Sequence, residues 1–343
     1  MRKVKVMVGM HQLGEEDLAR VAQVDPRVEM VQGLVPTERL RRMTGVQPGS
    51  EMERRLDQLS QSFDRHIADT EVILGLWLPE DVTERAGKLR WVHSYGAGID
   101  FMPAPKILAR GITITNSSGV NSRPIAEFCI AYVLVHAKQI ALRLEHQRNR
   151  RWKRETNAEL GGKTLGIIGP GRIGMAVAVR AAAMEMRLLA VRRKQTPGVL
   201  LPPFERVYPR EALGEMLAQC DYVLTTVGLS EATRRMIGDA EFAAMKRGAY
   251  FMNVGRGAVV DEAALARALE SGQLGGAGLD VFEEEPLSPQ SPLWGMPTVF
   301  ITPHSTVALA DYSRLSVEFF CQNLRRYLDG APLENVIAAD YVS

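Results

Sequence analysis

Short apolar segments alternate with longer amphipathic ones along the chain, and this alternation predicts its secondary structure. Four apolar segments in the first third have the length and the β-branched content of strands. They are KVKVMVG near the N-terminus, EVILGLW (71–77), LRWVHSYG (89–96) and GITITNSSG (111–119). Strands that alternate with helices are typical of α/β proteins with largely parallel sheets. The first third therefore predicts one α/β unit.

Two longer segments predict helices of different character. A charged, amphipathic stretch between Arg39 and Ile67 predicts a surface helix without a chemical signature. The segment 121–147 predicts one long helix, with Ser122 as its N-cap and Pro124 in its first turn. From residue 125 to residue 141 this helix is apolar on nearly every face. Such a helix is expected to be buried all round, between domains or between subunits, and it indicates a homodimer.

A glycine-rich turn opens a second α/β unit. The segment KTLGIIG predicts a strand, PGRIG a turn and MAVAVRAAAMEM a helix, so that Gly169, Gly171 and Gly174 have GxGxxG spacing. The first glycine permits a tight turn, the second lets the backbone approach a diphosphate, and the third allows close packing of helix on strand. This context favours a dinucleotide site over the alternative, a glycine-rich turn without a ligand.

The end of the next predicted strand carries basic residues where a dinucleotide site normally has an acid for the ribose. Arg192 fills this place, Arg193 and Lys194 follow it, and no acid lies between Leu188 and Gln195. A guanidinium can bind a 2′-phosphate through a fork of charge-assisted hydrogen bonds. The sequence thus predicts a preference for NADP(H), with NAD(H) as the alternative cofactor. A solvated basic turn is the competing interpretation.

Three chemically capable groups follow three further predicted strands. Arg256 comes after GAYFMNV, Asp280 ends GGAGLD with Glu285 shortly beyond, and His304 follows TVFIT. Taken alone, a histidine after a strand is more often a surface or packing residue than a catalyst, Arg256 could be an exposed loop charge, and an acidic run such as that of Glu285 is usually solvated. Because parallel strands meet at one carboxyl edge, however, these groups are expected on the same edge as the glycine turn. Their joint location favours an active site.

The composition excludes several classes of protein. Lys and Arg number 42 against 40 acids, so a net charge of +2 predicts no nucleic-acid partner. No apolar run approaches the ~18 residues of a membrane span, and the N-terminus lacks the apolar core of a signal peptide. The three cysteines have no CxxC spacing, which indicates free thiols in a reducing cytoplasm and no metal site.

Six segments together carry a resemblance to a known family. They are YGAGID, NSRPIAEF, GKTLGIIGPGRIG, NVGRGAVVDEAAL, GLDVFEEEPL and TPHS, and the similar region runs from about residue 70 to residue 304. The chain resembles the D-isomer-specific 2-hydroxyacid dehydrogenases, which include glyoxylate/hydroxypyruvate reductases and phosphoglycerate dehydrogenases. The resemblance implies two Rossmann-like or flavodoxin-like α/β domains with doubly wound parallel sheets and an active site in the cleft between them. The expected substrate-binding domain comprises residues 1–117 and 304–343, and the expected nucleotide domain residues 118–303.

The resemblance also implies roles for individual residues. Arg256 would bind the substrate carboxylate and polarise the 2-oxo group, His304 would donate the proton, and Glu285 would orient the imidazole and stabilise its protonated form. Asp280 would hold the nicotinamide carboxamide. In the turn that contains Gly96, the backbone N–H groups of Ala97 and Gly98 would also bind the substrate carboxylate. The Tyr95 side chain, just before this turn, is expected to face the substrate. The expected cofactor-binding residues are Gly169, Gly171, Arg172, Ile173, Gly174, Arg192, Arg193, Lys194, Thr226, Val227, Val254, Gly255 and Asp280.

The function expected from these features is NADP(H)-dependent reduction of a small 2-oxo acid to the D-2-hydroxy acid, with glyoxylate and hydroxypyruvate as first candidates. One alternative is an NAD-linked biosynthetic dehydrogenase of the phosphoglycerate type. The other is a dinucleotide-sensing protein similar to a corepressor, which binds partners rather than turning over substrate. The expected partners are thus a small 2-oxo or 2-hydroxy acid and a second copy of the chain.

Overall fold

A computed structural model of the chain describes residues 2–36, 38, 40–41, 45–193, 201–306 and 311–338. The chain divides into two compact units, one formed by Met1–Val120 with Leu309–Ser343 and the other by Asn121–Ala308. The expected boundaries, after residues 117 and 303, differ from this division by a few residues. As a consequence, His304 belongs to the second unit and not to the returning segment.

The first unit is a parallel sheet with helices on both faces. Its N-terminal elements are β1 (Val4–Gly9), α1 (Glu15–Ala22), β2 (Val28–Gln32), α2 (Glu51–His66), a 3-10 turn (Ile67–Asp69), β3 (Val72–Gly75), α3 (Val82–Arg85), β4 (Trp91–Ser94), α4 (Ala104–Ala109) and β5 (Thr113–Asn116). The strands lie in the order β2-β1-β3-β4-β5, which is the flavodoxin-like order. The four predicted strands are β1, β3, β4 and β5; β2 was not predicted.

The helix predicted between residues 39 and 67 is present as α2. The side chain of Ser50 caps it by accepting a hydrogen bond from the Glu53 N–H at 3.1 Å. Its apolar positions bury Leu56, Leu59 and Phe63, while the remaining positions are largely charged. α2 therefore covers the unit with one apolar stripe, as expected for an amphipathic surface helix.

The second unit is a larger parallel sheet. Its elements are α5 (Ser122–Ala137), α6 (Ile140–Arg148), β6 (Thr164–Ile168), α7 (Arg172–Ala182), β7 (Arg187–Val191), β8 (Arg206–Tyr208), a 3-10 turn (Arg210–Ala212), α8 (Leu213–Leu217), β9 (Tyr222–Thr225), α9 (Asp239–Ala244), β10 (Ala249–Asn253), a 3-10 turn (Gly257–Val259), α10 (Glu262–Glu270), β11 (Leu274–Leu279), a 3-10 turn (Pro292–Gly295) and β12 (Val299–Ile301). The order β12-β11-β10-β9-β6-β7-β8 reverses direction between β6 and β9. Ligands of doubly wound sheets bind beyond the carboxyl ends at such a point.

The chain then returns to the first unit as α11 (Tyr312–Leu328). This helix covers one face of the first sheet, where Phe320 stacks on Trp91 of β4 at 5.3 Å between ring centroids. The α/β fold with two doubly wound parallel sheets is as predicted.

The apolar segment 121–147 is a helix pair and not the predicted single helix. Gln139 adopts a left-handed conformation (φ 51°), and α5 and α6 meet there at 64°. Ser122 is the first helical residue and does not cap; Asn121 precedes it without a side-chain cap. The helix is also not buried all round, because Phe128 is 37% exposed. No single helix in the described residues is long and apolar enough to cross a membrane, and only this bent pair passes that test of length and composition.

A buried histidine makes the stability of the first unit depend on pH. His93 of β4 is fully buried, with Nδ1 2.6 Å from the Thr115 hydroxyl and Nε2 3.1 Å from the Ser117 hydroxyl. Burial disfavours the charged ring and lowers the pKa of His93 to about 3. The unfolded chain, by contrast, takes up this proton near the ordinary histidine pKa of about 6.5.

We predict that His93 contributes stability above pH ~6.5 and that this contribution is lost as the pH falls from there toward the folded-state pKa. The free energy of unfolding should decrease by up to about 1.4 kcal/mol per pH unit from this group, since only the unfolded state binds the proton. Urea unfolding of the wild type and of His93→Gln, from about pH 7.5 to about pH 4.5, measures the difference. Parallel profiles for the two proteins would contradict the prediction.

Candidate active site

The glycine turn after β6 has the backbone geometry that its sequence predicts. Gly169 has a left-handed φ of 89°, and a Cβ there would lie 2.6 Å from Val227 Cγ1. A Cβ on Gly174 would lie 2.7 Å from the Gly169 oxygen, so the third glycine does permit close packing of α7 on the turn. A Cβ on Gly171 would meet no atom of the described residues within 4 Å. The second glycine therefore borders open space on the ligand side.

The N-terminus of α7 begins directly after this turn. Gly171 precedes the helix, and Arg172 and Ile173 supply its first backbone N–H groups. The first N–H groups of a helix have no intrahelical acceptor, and the helix dipole favours negative charge there. Together with the open space at Gly171, this arrangement fits a dinucleotide diphosphate.

The basic residues lie beside the glycine turn. Ile168 of β6 pairs with Val191 of β7, and the Gly169 N–H donates to the Val191 carbonyl at 3.0 Å. Arg192 follows immediately and is exposed, as is Arg193. Lys194, the third predicted member, lies outside the described residues. The structure thus brings Arg192 to the strand end where the ribose of a bound dinucleotide is expected.

The residues after β9 complete the turn from the other side of the switch point. The Thr226 hydroxyl donates to the Gly169 carbonyl at 2.6 Å, and the Thr226 N–H donates to the Ile168 carbonyl at 3.0 Å. Val227 contacts the space where a Gly169 side chain would lie. Two of the predicted cofactor residues, Thr226 and Val227, therefore shape the glycine turn itself.

Arg256 is held in place by its neighbours in the turn after β10. The Asn253 side chain accepts from the Gly255 N–H at 3.0 Å and donates to the Arg256 carbonyl at 3.1 Å. A Cβ on Gly255 would lie 2.5 Å from the Val227 oxygen, and one on Gly257 would lie 1.8 Å from backbone carbon of the segment after β11. Glycine is thus required on both sides of Arg256, because the backbone of other segments comes too close to leave room for a Cβ atom. Val254, also predicted, is buried at the start of this turn.

Asp280, at the end of β11, anchors the segment that carries His304. Its carboxylate accepts four hydrogen bonds: from the Thr302 hydroxyl (2.6 Å), the Ser305 N–H (2.9 Å), the Thr306 N–H (3.2 Å) and the Thr306 hydroxyl (2.6 Å). The Asp280 carbonyl accepts the His304 N–H at 2.8 Å. Asp280 is only 2% exposed, so these neutral donors replace its lost hydration. Its expected contact with a nicotinamide carboxamide stays a prediction.

His304 and Glu285 form a carboxylate–imidazole pair. His304 Nδ1 lies 2.9 Å from Glu285 Oε2, and Glu285 Oε1 accepts the Phe282 N–H at 3.2 Å. Because Nδ1 faces a carboxylate, it carries a proton, which leaves Nε2 as the ring nitrogen available for substrate. His304 has a left-handed φ of 50°, which is an uncommon conformation for a residue other than glycine.

Sequence reasoning missed four residues that position this site. Asn253 orients the arginine turn, Thr302 and Thr306 bind Asp280, and the Tyr132 hydroxyl of α5 hydrogen-bonds to Thr302. Burial raises the pKa of Tyr132, so its hydroxyl stays protonated. Thr302 and Thr306 each lie two residues from His304 in the sequence, and this adjacency was the one signal that the sequence offered.

In the first unit, the turn after β4 differs from expectation at one residue. Tyr95 is 2% exposed, packs edge-on against Tyr312, and donates its hydroxyl to Ser313 at 2.9 Å. Its side chain therefore belongs to the apolar core of the first unit, and the structure does not support the predicted contact of this side chain with substrate. Gly96 and Gly98 are half-buried and Ala97 is exposed, and their contact with a substrate carboxylate stays a prediction.

A nicotinamide dinucleotide and a proton-donating imidazole together reduce a carbonyl group or oxidise an alcohol. The fold and these side chains therefore define an NAD(P)-dependent oxidoreductase. Within this class, the chain belongs to the D-isomer-specific 2-hydroxyacid dehydrogenase family, whose NAD-binding domain matches residues 130–306. The resemblance predicted from the sequence motifs is confirmed.

Individual relatives agree with this assignment. Glyoxylate reductase of Korarchaeum cryptofilum is 35% identical over 291 residues, which cover 80% of this chain and 85% of that enzyme. D-3-phosphoglycerate dehydrogenase of Archaeoglobus fulgidus is 30% identical over 300 residues, covering 84% of this chain and 55% of that enzyme. The solved structure of an NADPH-dependent glyoxylate/hydroxypyruvate reductase from Sinorhizobium meliloti, in complex with NADP and sulfate, has a TM-score of 0.79 at 26% identity and covers 99% of both chains.

We predict that Glu285→Gln lowers kcat for carbonyl reduction at least about tenfold, because an amide cannot stabilise the imidazolium as a carboxylate does. Binding of NADPH should stay within about twofold of the wild type, since Glu285 lies apart from the glycine turn. Steady-state rates and a fluorescence titration with NADPH measure the two effects. The matched control is Glu284→Gln, an exposed acid in the same run. Equal kcat values for the two variants would refute the role of Glu285.

Proposed function

We propose that the protein reduces a small 2-oxo acid to the D-2-hydroxy acid with NADPH, with glyoxylate and hydroxypyruvate as the first candidates. The observation that carries this proposal is the 2.9 Å contact between His304 Nδ1 and Glu285, which dedicates Nε2 to proton transfer. Glyoxylate reductases among the relatives support the choice of substrate class. Arg256 supports it too, because a guanidinium at this site matches a carboxylate.

The residues of the second unit then act in one step. NADPH, held by the glycine turn and Arg192, would supply the hydride for the carbonyl carbon of the 2-oxo acid. Protonated His304 gives its Nε2 proton to the carbonyl oxygen, so that a C–H and an O–H bond form as the C=O π bond breaks. Glu285 holds the ring and stabilises its charge before the transfer. Arg256 binds the substrate carboxylate and draws electron density toward the carbonyl oxygen. The neutral imidazole afterwards regains its proton from water.

The preference for NADPH rests on Arg192. Its exposed side chain follows β7 beside the glycine turn, and no acid in the sequence from Leu188 to Gln195 replaces it. A guanidinium there attracts a 2′-phosphate, whereas the acid of an NAD site repels it. The phosphoglycerate dehydrogenase among the relatives keeps an NAD-linked biosynthetic activity as the second candidate. Arg192 argues against that candidate.

We predict faster turnover of glyoxylate or hydroxypyruvate with NADPH than with NADH, and a reversal of this order in Arg192→Asp. The substitution should lower kcat/KM for NADPH about 100-fold, because charge-assisted bonds are replaced by repulsion between a carboxylate and a phosphate. The value for NADH should change less than about threefold. Initial rates of cofactor oxidation, with pyruvate and a bulky aromatic 2-oxo acid as further substrates, measure these effects.

The matched control is Arg187→Asp, which makes the same charge change at the opposite end of β7. It should leave the ratio of the two cofactors unchanged. Equal losses for NADPH and NADH in Arg192→Asp would show that this residue does not contact the 2′-phosphate. Tight NADPH binding without turnover of any 2-oxo acid, in the wild type and in His304→Ala alike, would favour the corepressor-like alternative.

We further propose that the chain forms a homodimer through the helix pair of α5 and α6. Four large apolar side chains on this pair are exposed, and a fully exposed tryptophan follows it: Phe128, Ile140, Leu142, Leu144 and Trp152. A concentration of exposed apolar residues marks an interaction surface. A second copy of the chain would remove this surface from water symmetrically.

We predict a solution mass of twice the 38.0 kDa of the chain. Leu144→Arg should shift the protein toward the monomer, because an arginine would be buried without a partner on both sides of a two-fold interface. Sedimentation equilibrium gives both masses. Met52→Arg, at an exposed apolar residue of α2, is the control and should not change the mass. A monomeric wild type would refute the dimer.

A further inference from the structure

The turn between β4 and α4 has three consecutive carbonyl groups held toward the protein interior. The Gly96 carbonyl accepts the Ser117 N–H at 3.0 Å. The Ala97 carbonyl accepts Asn116 Nδ2 at 2.6 Å, and the Gly98 carbonyl accepts the Ser94 hydroxyl at 2.6 Å. The three donors Ser94, Asn116 and Ser117 are at most 5% exposed. The orientation of each peptide in the turn is therefore set by a buried donor.

The N–H groups of the same peptides consequently face the other way. In a trans peptide the N–H of one residue points opposite to the carbonyl of the residue before it. The N–H groups of Ala97, Gly98 and Ile99 are thus directed away from the three buried donors. Within the described parts of the chain, none of these N–H groups donates to another protein group. Ala97 is exposed, so the turn presents donors, and not acceptors, to a ligand.

Asn116 can satisfy its own contacts in only one orientation. Its Oδ1 accepts the Ser118 N–H at 3.1 Å, while its Nδ2 donates to the Ala97 carbonyl. Exchanging the two atoms would place a donor against an N–H and an acceptor against a carbonyl. The Asn335 side chain in addition donates to the Asn116 carbonyl at 3.0 Å, which fixes the end of β5. Neither leucine nor aspartate could supply the Nδ2 hydrogen bond.

We propose that Asn116, assisted by Ser94, is a positioning residue that sets the affinity of this enzyme for the carboxylate of its 2-oxo acid. It acts by keeping the Ala97–Gly98 peptide turned so that the Gly98 N–H is available to the carboxylate. A reversed peptide would present the Ala97 carbonyl, whose partial negative charge repels a carboxylate. This inference rests on the proposed function, the reduction of a 2-oxo acid, and on the prediction from the sequence that the turn of Gly96, Ala97 and Gly98 meets the carboxylate of that acid.

The test compares Asn116→Leu and the milder Ser94→Ala with the wild type. For both variants, KM for glyoxylate with NADPH should rise. The rise should be about tenfold or more in Asn116→Leu, because the hydrogen bond from the Gly98 N–H to the charged substrate carboxylate is lost. The dissociation constant of oxalate, a carboxylate without a reducible carbonyl, should rise in parallel. The dissociation constant of NADPH should stay within about twofold. A smaller folded fraction would lower kcat alone and would leave KM and both dissociation constants unchanged.

The matched control is Thr70→Val. It removes another buried hydrogen bond of the first unit, from the Thr70 hydroxyl to the His66 carbonyl at 2.8 Å, and should leave KM and oxalate binding unchanged. Unchanged KM and oxalate affinity in Asn116→Leu and Ser94→Ala would overturn this inference but not the proposed function. A wild type that neither turns over 2-oxo acids nor binds oxalate would overturn the proposed function as well, before any variant is compared.

Discussion

The arrangement of the active site depends on the hydrogen bonds that surround the buried carboxylate of Asp280. Four neutral donors from Thr302, Ser305 and Thr306 surround it, and its backbone carbonyl binds the His304 N–H. A carboxylate with 2% exposure is stable only while these bonds persist, because unpaired buried charge is costly. Because losing these hydrogen bonds would leave the Asp280 charge unpaired, the chain after β12 is held in one conformation. That conformation places His304 in its left-handed backbone state, 2.9 Å from Glu285.

The same principle recurs around the site, because buried groups fix the backbone and the backbone in turn fixes the chemistry. Asn253 binds both sides of the turn that carries Arg256. Thr226 closes the glycine turn, and Asn116 orients the Ala97–Gly98 peptide. In each case a short polar side chain at a strand end satisfies main-chain groups that a loop would otherwise leave unpaired. Preorganised turns of this kind lower the cost of ordering a site when the ligand binds.

The sequence predicted the chemically capable side chains of the candidate site and missed most of the residues that position them. Arg256, Glu285 and His304 were predicted because arginine, glutamate and histidine at predicted strand ends are chemically distinctive. Asn253, Thr302 and Tyr132 were missed because asparagine, threonine and tyrosine are common in loops and cores. Tyr95 was misplaced for a related reason: a tyrosine beside a glycine turn looks available to a ligand, yet apolar packing against Tyr312 buries it.

The sequence by itself determined the α/β class, four of the first unit's strands, the glycine turn and the family, because these depend on local periodicity and on motifs of fixed spacing. Only the tertiary structure decided that segment 121–147 breaks at Gln139 and that Asp280 anchors the His304 segment. It also decided which way the peptides after β4 face. These features depend on hydrogen bonds between residues far apart along the chain, and a local pattern contains no information about such partners.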